Sequence, residues 1–429
     1  MRRALCFVIL ACAALNGTQA QSVRVGPDMK SERNTLAVPY PFYNDSFGVA
    51  AGYVYAKTGN RDKPHDFITT GAVGSKGSAM VFFAGRNYRL PISKRLFLDP
   101  IASVGYFRDN DAYIDGNPDF PDERAGSNGS DQDDFVTGDG WDNFVRMNIK
   151  YLLPIGTARD EIVHTYVVQN GLLVSGASGG DRWNPWTSGR TFLQLRPFYR
   201  SQEIDGDDVD SETKTNGLEY SIFYDNRDFI DNPARGSALR LKLNQDYGLF
   251  DSSNSWTVVD LEFDKYFDLG ATETFRQRVL AFDFWTAYSP SWETRQTPQG
   301  EVIENRPPSY AGATLGGLWR MRGFPAQRFS DKAAVYYAAE YRMIPKWNPL
   351  TEIDWLQSYL GMSWWQFVPF VEVGRVAPDW SVSKLHSSMK WNVGLGLRAM
   401  VQGIVIRIDG AGSDESFEVA MMISQPFQF

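Results

Sequence analysis

Residues 317–329 hold the densest group of side chains able to do chemistry. Arg320, Arg322 and Arg328 alternate there with Trp319, Phe324 and Phe329, between Gly317 and Gly323 and around Pro325. The stretch is too broken for a helix and too basic for a core strand. What its arginines offer is recognition rather than catalysis, because a planar guanidinium makes bidentate, charge-assisted bonds to carboxylates.

Other candidate chemistry is weaker. Gly176-Ala177-Ser178-Gly179-Gly180 matches GxSxG, but Asp181-Arg182-Trp183-Asn184-Pro185 follows and starts no helix, as a nucleophile elbow requires. The segment reads as a flexible Gly/Ser connection. His65, His164 and His386 show no metal-ligand spacing, and no phosphate loop, paired-cysteine site or cofactor fingerprint is present. Asp109, Asp111 and Asp115, and Asp131, Asp133 and Asp134, are oxygen-rich but lack the regular calcium loop ending in Glu. They read as solvated acidic loops that touch divalent ions among surface lipids. No catalytic residue, cofactor or resident metal is expected, and the chain is read as a non-enzyme.

The elements that must position these residues show period two. Val259, Leu261 and Phe263 oppose Asp260, Glu262 and Asp264, and Leu239, Leu241 and Leu243 oppose Arg240, Lys242 and Asn244. Sixteen candidate strands run from 46–57 to 415–428, one of them at 160–172, with long connections at 109–140, 203–213 and 289–332. A connection of about 40 residues inside a compact barrel is expected to be functional rather than passive. Tyrosine, tryptophan and phenylalanine make up 14% of the residues, as in a barrel with aromatic girdles. The expected fold is all-β, a sixteen-stranded antiparallel transmembrane barrel whose even count returns both ends to one side. The short turns at Ser75-Lys76-Gly77 and Gln402 are both expected on the periplasmic side. No apolar run long enough for a helical span follows the N-terminus.

Residues 1–20 read as a secretory leader, with Arg2 and Arg3 before an apolar run and Ala20 at the cleavage site. A lipoprotein signal at Cys12 is the rival reading. Cys6 and Cys12 both fall in the leader, so the mature chain carries no cysteine. The 43 basic and 51 acidic residues give −8, and losing Arg2 and Arg3 makes −10, which argues against a nucleic-acid partner. Residues 21–45 are expected to form a short periplasmic segment and 46–429 the barrel.

Several motifs then align in order. Tyr224 to Gly236, including Asp225, Arg227, Asp228, Pro233 and Arg235, resembles the YDTRDNPxxPTRG turn of the BamA/TamA-type outer-membrane barrel superfamily, the bacterial surface-antigen barrel. Arg322-Gly323-Phe324 resembles its (V/I)RG(F/Y) loop motif, with Met321 at the Val/Ile position. Glu340-Tyr341-Arg342, Phe370 to Gly374 (with Glu372 for Asp), Gly394 to Arg398, and Gln425 to Phe429 with Phe427 resemble the strands that follow. The resemblance implies a long extracellular loop folded into the lumen, its Arg322 paired with Glu372 on the wall and with Glu340 and Asp409 nearby. The 225–236 turn is read as structural.

Residues 21–45 are too few for the POTRA repeat usual in the superfamily, which points to a short branch. The resemblance implies outer-membrane location, lipid contacts including lipopolysaccharide, insertion by the barrel assembly machinery and a possible separate periplasmic partner. It also implies a function in inserting or passing protein or lipid, through a seam between first and last strands loosened by Gly48 and Gly52. The alternative is a passive or gated porin-like surface protein. A membrane-embedded lipid hydrolase is the least supported reading.

Overall fold

The computed structural model describes residues 6–9, 22–26, 35–44, 46–57, 66–180, 182–207, 209–297, 300–348, 353, 361–401, 403–423 and 425–427. One sheet of 18 strands dominates. Setting aside Cys6–Ile9 and the two-residue Tyr88–Arg89 leaves sixteen wall strands among the described residues. They are β1 Thr35–Asn44, β2 Gly48–Lys57, β3 Asp66–Gly74, β4 Ala79–Arg86, β5 Leu96–Ala112, β6 Val136–Leu152, β7 Arg190–Asp205 and β8 Asp210–Asp225. The second half comprises β9 Gly236–Tyr247, β10 Ser255–Asp268, β11 Phe275–Tyr288, β12 Ala333–Pro345, β13 Met362–Ala377, β14 Lys390–Val401, β15 Ile404–Gly412 and β16 Phe417–Ile423. Each pairs antiparallel with the next, in one continuous sheet that follows chain order. Cys6–Ile9, within the expected leader, lies parallel to β16, with Cys6 opposite Glu418 and Ile9 opposite Met421.

The wall is inside out relative to a soluble protein. On β10, Asp260, Glu262 and Asp264 are buried while Val259 faces outward. Val81, Leu241, Phe282, Val371 and Leu395 are also exposed on other strands, whereas Lys150, Glu219, Arg240, Glu340 and Arg398 are buried. A sandwich would place the apolar face inside; a lipid-facing apolar band around a polar interior is the barrel arrangement. A spanning strand needs about 9–11 residues, and most of these strands meet or exceed that. The β7–β8 hairpin is paired without interruption from Arg190↔Asp225 to Asp205↔Asp210.

Strand alternation puts residues 113–135, 206–209 and 289–332 at one end, the loop end. Residues 153–189 and 226–235 lie at the other, the turn end. A small sheet of Ser22–Val25, His164–Gln169 and Leu172–Ser175 belongs to the turn end. It is held there by Arg24–Asp231 (2.7 Å) and by the Trp364 indole N–H donating to Gly171 O (3.0 Å). Phe97, Leu152, Tyr166, Phe192, Phe223 and Phe229 are buried together beneath it.

Four expectations change. The first wall strand is Thr35–Asn44, which the sequence places in the periplasmic segment. The candidate at 160–172 is not in the wall but in the small sheet, so one strand gained offsets one lost. Gly48 and Gly52 therefore sit on the second strand, away from the seam. The turn at 75–78 and the step from β14 to β15 lie at opposite ends, because 75–78 joins an odd strand to an even one, and Gln402 itself lies outside the described residues; at the 75–78 end Lys76 pairs with Asp109 (2.6 Å).

Candidate functional site: the arginine loop

Between β11 and β12, residues 306–331 turn back into the barrel. Ala313–Leu315 and Phe329–Asp331 pair as a short ribbon that brackets the tip. At the tip Met321 takes the left-handed conformation (φ 57°), which swings the next residue toward the wall. Arg322 is thereby buried, and its guanidinium meets three carboxylates from three strands. Nε donates to Glu372 Oε1 on β13, Nη1 to Asp409 Oδ2 on β15 and Nη2 to Glu340 Oε1 on β12, each at 2.9 Å. Its backbone N–H adds a bond to Glu372 Oε2 (2.6 Å), and its guanidinium lies 3.5 Å from the centre of the Phe370 ring. Burial opposes charge on Arg322, but Glu372, Asp409 and Glu340 outweigh it and hold the pKa above the ordinary arginine value.

The carboxylates are held in turn. Glu372 accepts from the Tyr336 hydroxyl (2.5 Å) and the Asn392 amide (2.9 Å). Glu340 pairs with Arg342 and Arg398 (both 2.8 Å), and Asp409 with Arg407. Arg398 also donates to Gln425 Oε1 (2.6 Å). A buried network of this kind contributes geometric specificity where a lone pair would be costly.

Gly323 serves by its size. A Cβ there would sit 2.6 Å from Asn392 Cβ and 3.1 Å from the Gly412 backbone. Its carbonyl accepts from the Ser413 and Ser416 hydroxyls (2.8 and 2.9 Å). The left-handed residue is Met321, not Gly323. Gly374 similarly leaves room on the wall for Leu315 and Met321. Phe324 is fully buried and packs edge-on against Phe329 (5.1 Å). Gly323→Ala is expected to destabilise the docked loop by about 1–3 kcal/mol, seen as faster proteolysis of 305–331; wild-type resistance would overturn this role.

The neighbouring arginines are equally engaged, which spacing alone does not reveal because their partners are remote in sequence. Arg320 reaches Glu262 (2.7 Å) and covers the Trp285 ring at 4.2 Å. Arg328 is buried against Glu415 (2.7 Å) and Ser130 O (2.6 Å). Arg124 pairs with Asp331 and Arg306 with Asp115, both at 2.7 Å. The acidic loop 113–135 thus clamps the basic loop, a correction to its reading as freely solvated. Asp131 and Asp115 carboxylates also cap backbone amides.

The 225–236 turn lies at the opposite end and does not touch this network. Arg227 makes a bidentate, buried pair with Asp225 (2.8 Å twice). Asp228 Oδ1 accepts from the amides of Phe229, Ala234 and Arg235; burial nevertheless pushes its carboxyl up. Pro233 leads into Ala234 within that cap. Gly236 has φ 99°, and a Cβ would lie 2.0 Å from Asn226 O. Ser178 docks here: its amide donates to Asp228 O (3.1 Å) and its hydroxyl to Arg227 O (2.9 Å). Ser178 is therefore fixed and buried, although Gly176 and Ala177 are exposed, and the segment is not a flexible connection. His164 contacts Glu161 and Gly176 O instead of Ser178. His386 binds Tyr337, and His65 lies outside the described residues.

The closing strand is shorter than expected. β16 ends at Ile423, and the chain then turns inward. Phe427 (φ 57°) is buried in the cluster that holds Phe324, with the Arg342 guanidinium 5.3 Å from its ring and the Tyr266 hydroxyl donating to its carbonyl (3.4 Å). It does not share the outward face of Phe417. Phe429 lies outside the described residues.

The Omp85 superfamily domain matches residues 187–409, just over half of the chain. No curated protein matches it. Among solved structures, CdiB from Escherichia coli superposes with a TM-score of 0.54 at 12% identity, over 90% of this chain and 61% of that one. BamA from Haemophilus ducreyi lacking POTRA domains 1–3 gives 0.46 at 13%, over 92% of this chain and 70% of that one. The family match spans the strands that carry Glu340, Glu372 and Asp409 and the loop that carries Arg322, and this chain belongs to the Omp85 superfamily of outer-membrane β-barrels.

Proposed function

We propose that this barrel assists the insertion or passage of protein or lipid at the outer membrane by opening between β1 and β16, with the loop end facing outward. One observation carries the reading: β16 is the shortest wall strand among the described residues, stopping at Ile423 with Gln425 and Phe427 turned inside, which leaves little strand for β1 to pair with. The first strand adds to it. Pro39 and Pro41 lack amide donors, and residues two apart point their N–H groups to the same neighbour. The ladder to β2 is unbroken from Thr35↔Lys57 to Asn44↔Gly48, so the missing donors fall on the seam side. Proline suits an edge that must separate.

The test is a disulfide lock. Cysteine pairs are placed across 36–42 and 417–423, and the protein is reconstituted in vesicles. Insertion of an added outer-membrane barrel protein and transfer of a labelled phospholipid between leaflets are then followed. A locked seam is expected to stop one of these activities, with recovery on reduction. Activity that survives complete crosslinking sinks the seam reading. Steady conductance in planar bilayers, without either activity, favours the porin-like alternative.

A further inference from the structure

Away from the Arg322 network the lumen holds a cavity of about 420 Å³, within the size range of small-ligand sites. One wall is basic. Arg146 on β6 lies directly opposite Phe198 on β7, and Arg196 and Arg200 flank Phe198 two residues to either side on the same face. Arg196 is neutralised by Glu219 and Arg200 by Asp142 (2.8 and 2.5 Å). Arg146 has no carboxylate in ion-pair contact among the described residues; its guanidinium lies 5.1 Å from the centre of the Phe144 ring. Three guanidiniums against two carboxylates leave one positive charge in a confined interior, where an unpaired ion is costly. The rest of the lining is mixed: Phe82, Ile101, Phe198 and Trp256 stand beside Asp283 and the ion pairs Lys242–Asp260, Arg240–Glu262 and Arg320–Glu262.

We propose that Arg146, between Arg196 and Arg200, forms a lumenal binding site for a phosphate group. Guanidinium forks converging from adjacent strands suit the several acceptor oxygens of a tetrahedral anion. The adjoining aromatic and aliphatic wall suits the acyl part of a phospholipid, which would place its head on the arginines and its chains against Phe82 and Trp256. Free phosphate shares the head chemistry. The site does not depend on the seam opening.

The experiment uses the purified full chain in neutral detergent and titrates dihexanoyl phosphatidic acid, inorganic phosphate and dihexanoylglycerol by calorimetry. Wild type is expected to bind a phosphate probe and not the uncharged diglyceride. Arg146→Gln is expected to weaken that binding by at least about tenfold, with Arg146→Lys retaining part of it. Removing an unpaired charge leaves folding intact, which heat-modifiability on a cold gel verifies. Binding of the phosphatidic acid alone assigns the site to lipid; equal binding of inorganic phosphate assigns it to the free ion. No phosphate binding by wild type, or the same affinity in folded Arg146→Gln, overturns the proposal.

Discussion

Arg322→Ala should undock the lumenal loop. The three carboxylates that Arg322 joins do not suffer equally. Glu340 keeps Arg342 and Arg398, and Asp409 keeps Arg407, but Glu372 is left with uncharged donors alone: Tyr336, Asn392 and the residue-322 amide. Removing one partner of a buried pair costs about 3–5 kcal/mol, which raises the undocked population by roughly two to nearly four orders of magnitude. Trypsin should then cut after Arg320 and Arg328, both shielded in the docked loop. Arg322→Lys should fall between, because an ammonium cannot direct a planar fork at three acceptors. The double variant Arg322→Ala/Glu372→Gln should regain part of the protection, since it no longer strands a charge. Wild-type resistance in Arg322→Ala would show that the loop is held by something else.

At the other end, Asp225→Ala should lower the temperature at which the folded band is lost on a cold gel. Arg227 is almost fully buried and takes its bidentate partner from two residues away. Without Asp225 it loses its bidentate partner while still buried, at a cost again of about 3–5 kcal/mol. Asp225→Ala/Arg227→Leu should be more stable than Asp225→Ala alone, because replacing both members of a buried pair is far less costly than removing one. If the double variant is the less stable of the two, the pair is not what holds this turn. Since Ser178 hangs from Arg227 and Asp228 by its amide and hydroxyl, the single variant should also release 153–189 to proteolysis.

How much of this was legible follows from what local pattern contains. Alternation of Val259, Leu261 and Phe263 with three acids identifies a strand with one charged face, and its inside-out burial is the barrel. The same alternation at His164, Tyr166 and Val168 is equally regular, yet those residues pair with Ser22–Val25 off the wall. Periodicity says which face is buried and nothing about the partner. Thr35–Asn44 escapes because Pro39 and Pro41 remove donors that a central strand would need, although a seam strand tolerates their loss. The pairing of Arg322 with Glu372 and Asp409 spans 50 and 87 residues, so no spacing rule reaches it. Motif resemblance did, whereas Arg328 on Ser130 and Glu415 had no motif to mark it.

The inward tail has a consequence for how the molecule can move. Gln425 rests on Arg398 and Phe427 on Arg342, both arginines hold Glu340, and Glu340 holds Arg322. Loop and tail therefore share one carboxylate and one apolar cluster. By thermodynamic linkage, whatever free energy the seated tail lends the loop, the seated loop lends the tail. A strand that displaced the tail at the seam would loosen the plug by that same factor, and the wall and the lumen would open as a single event.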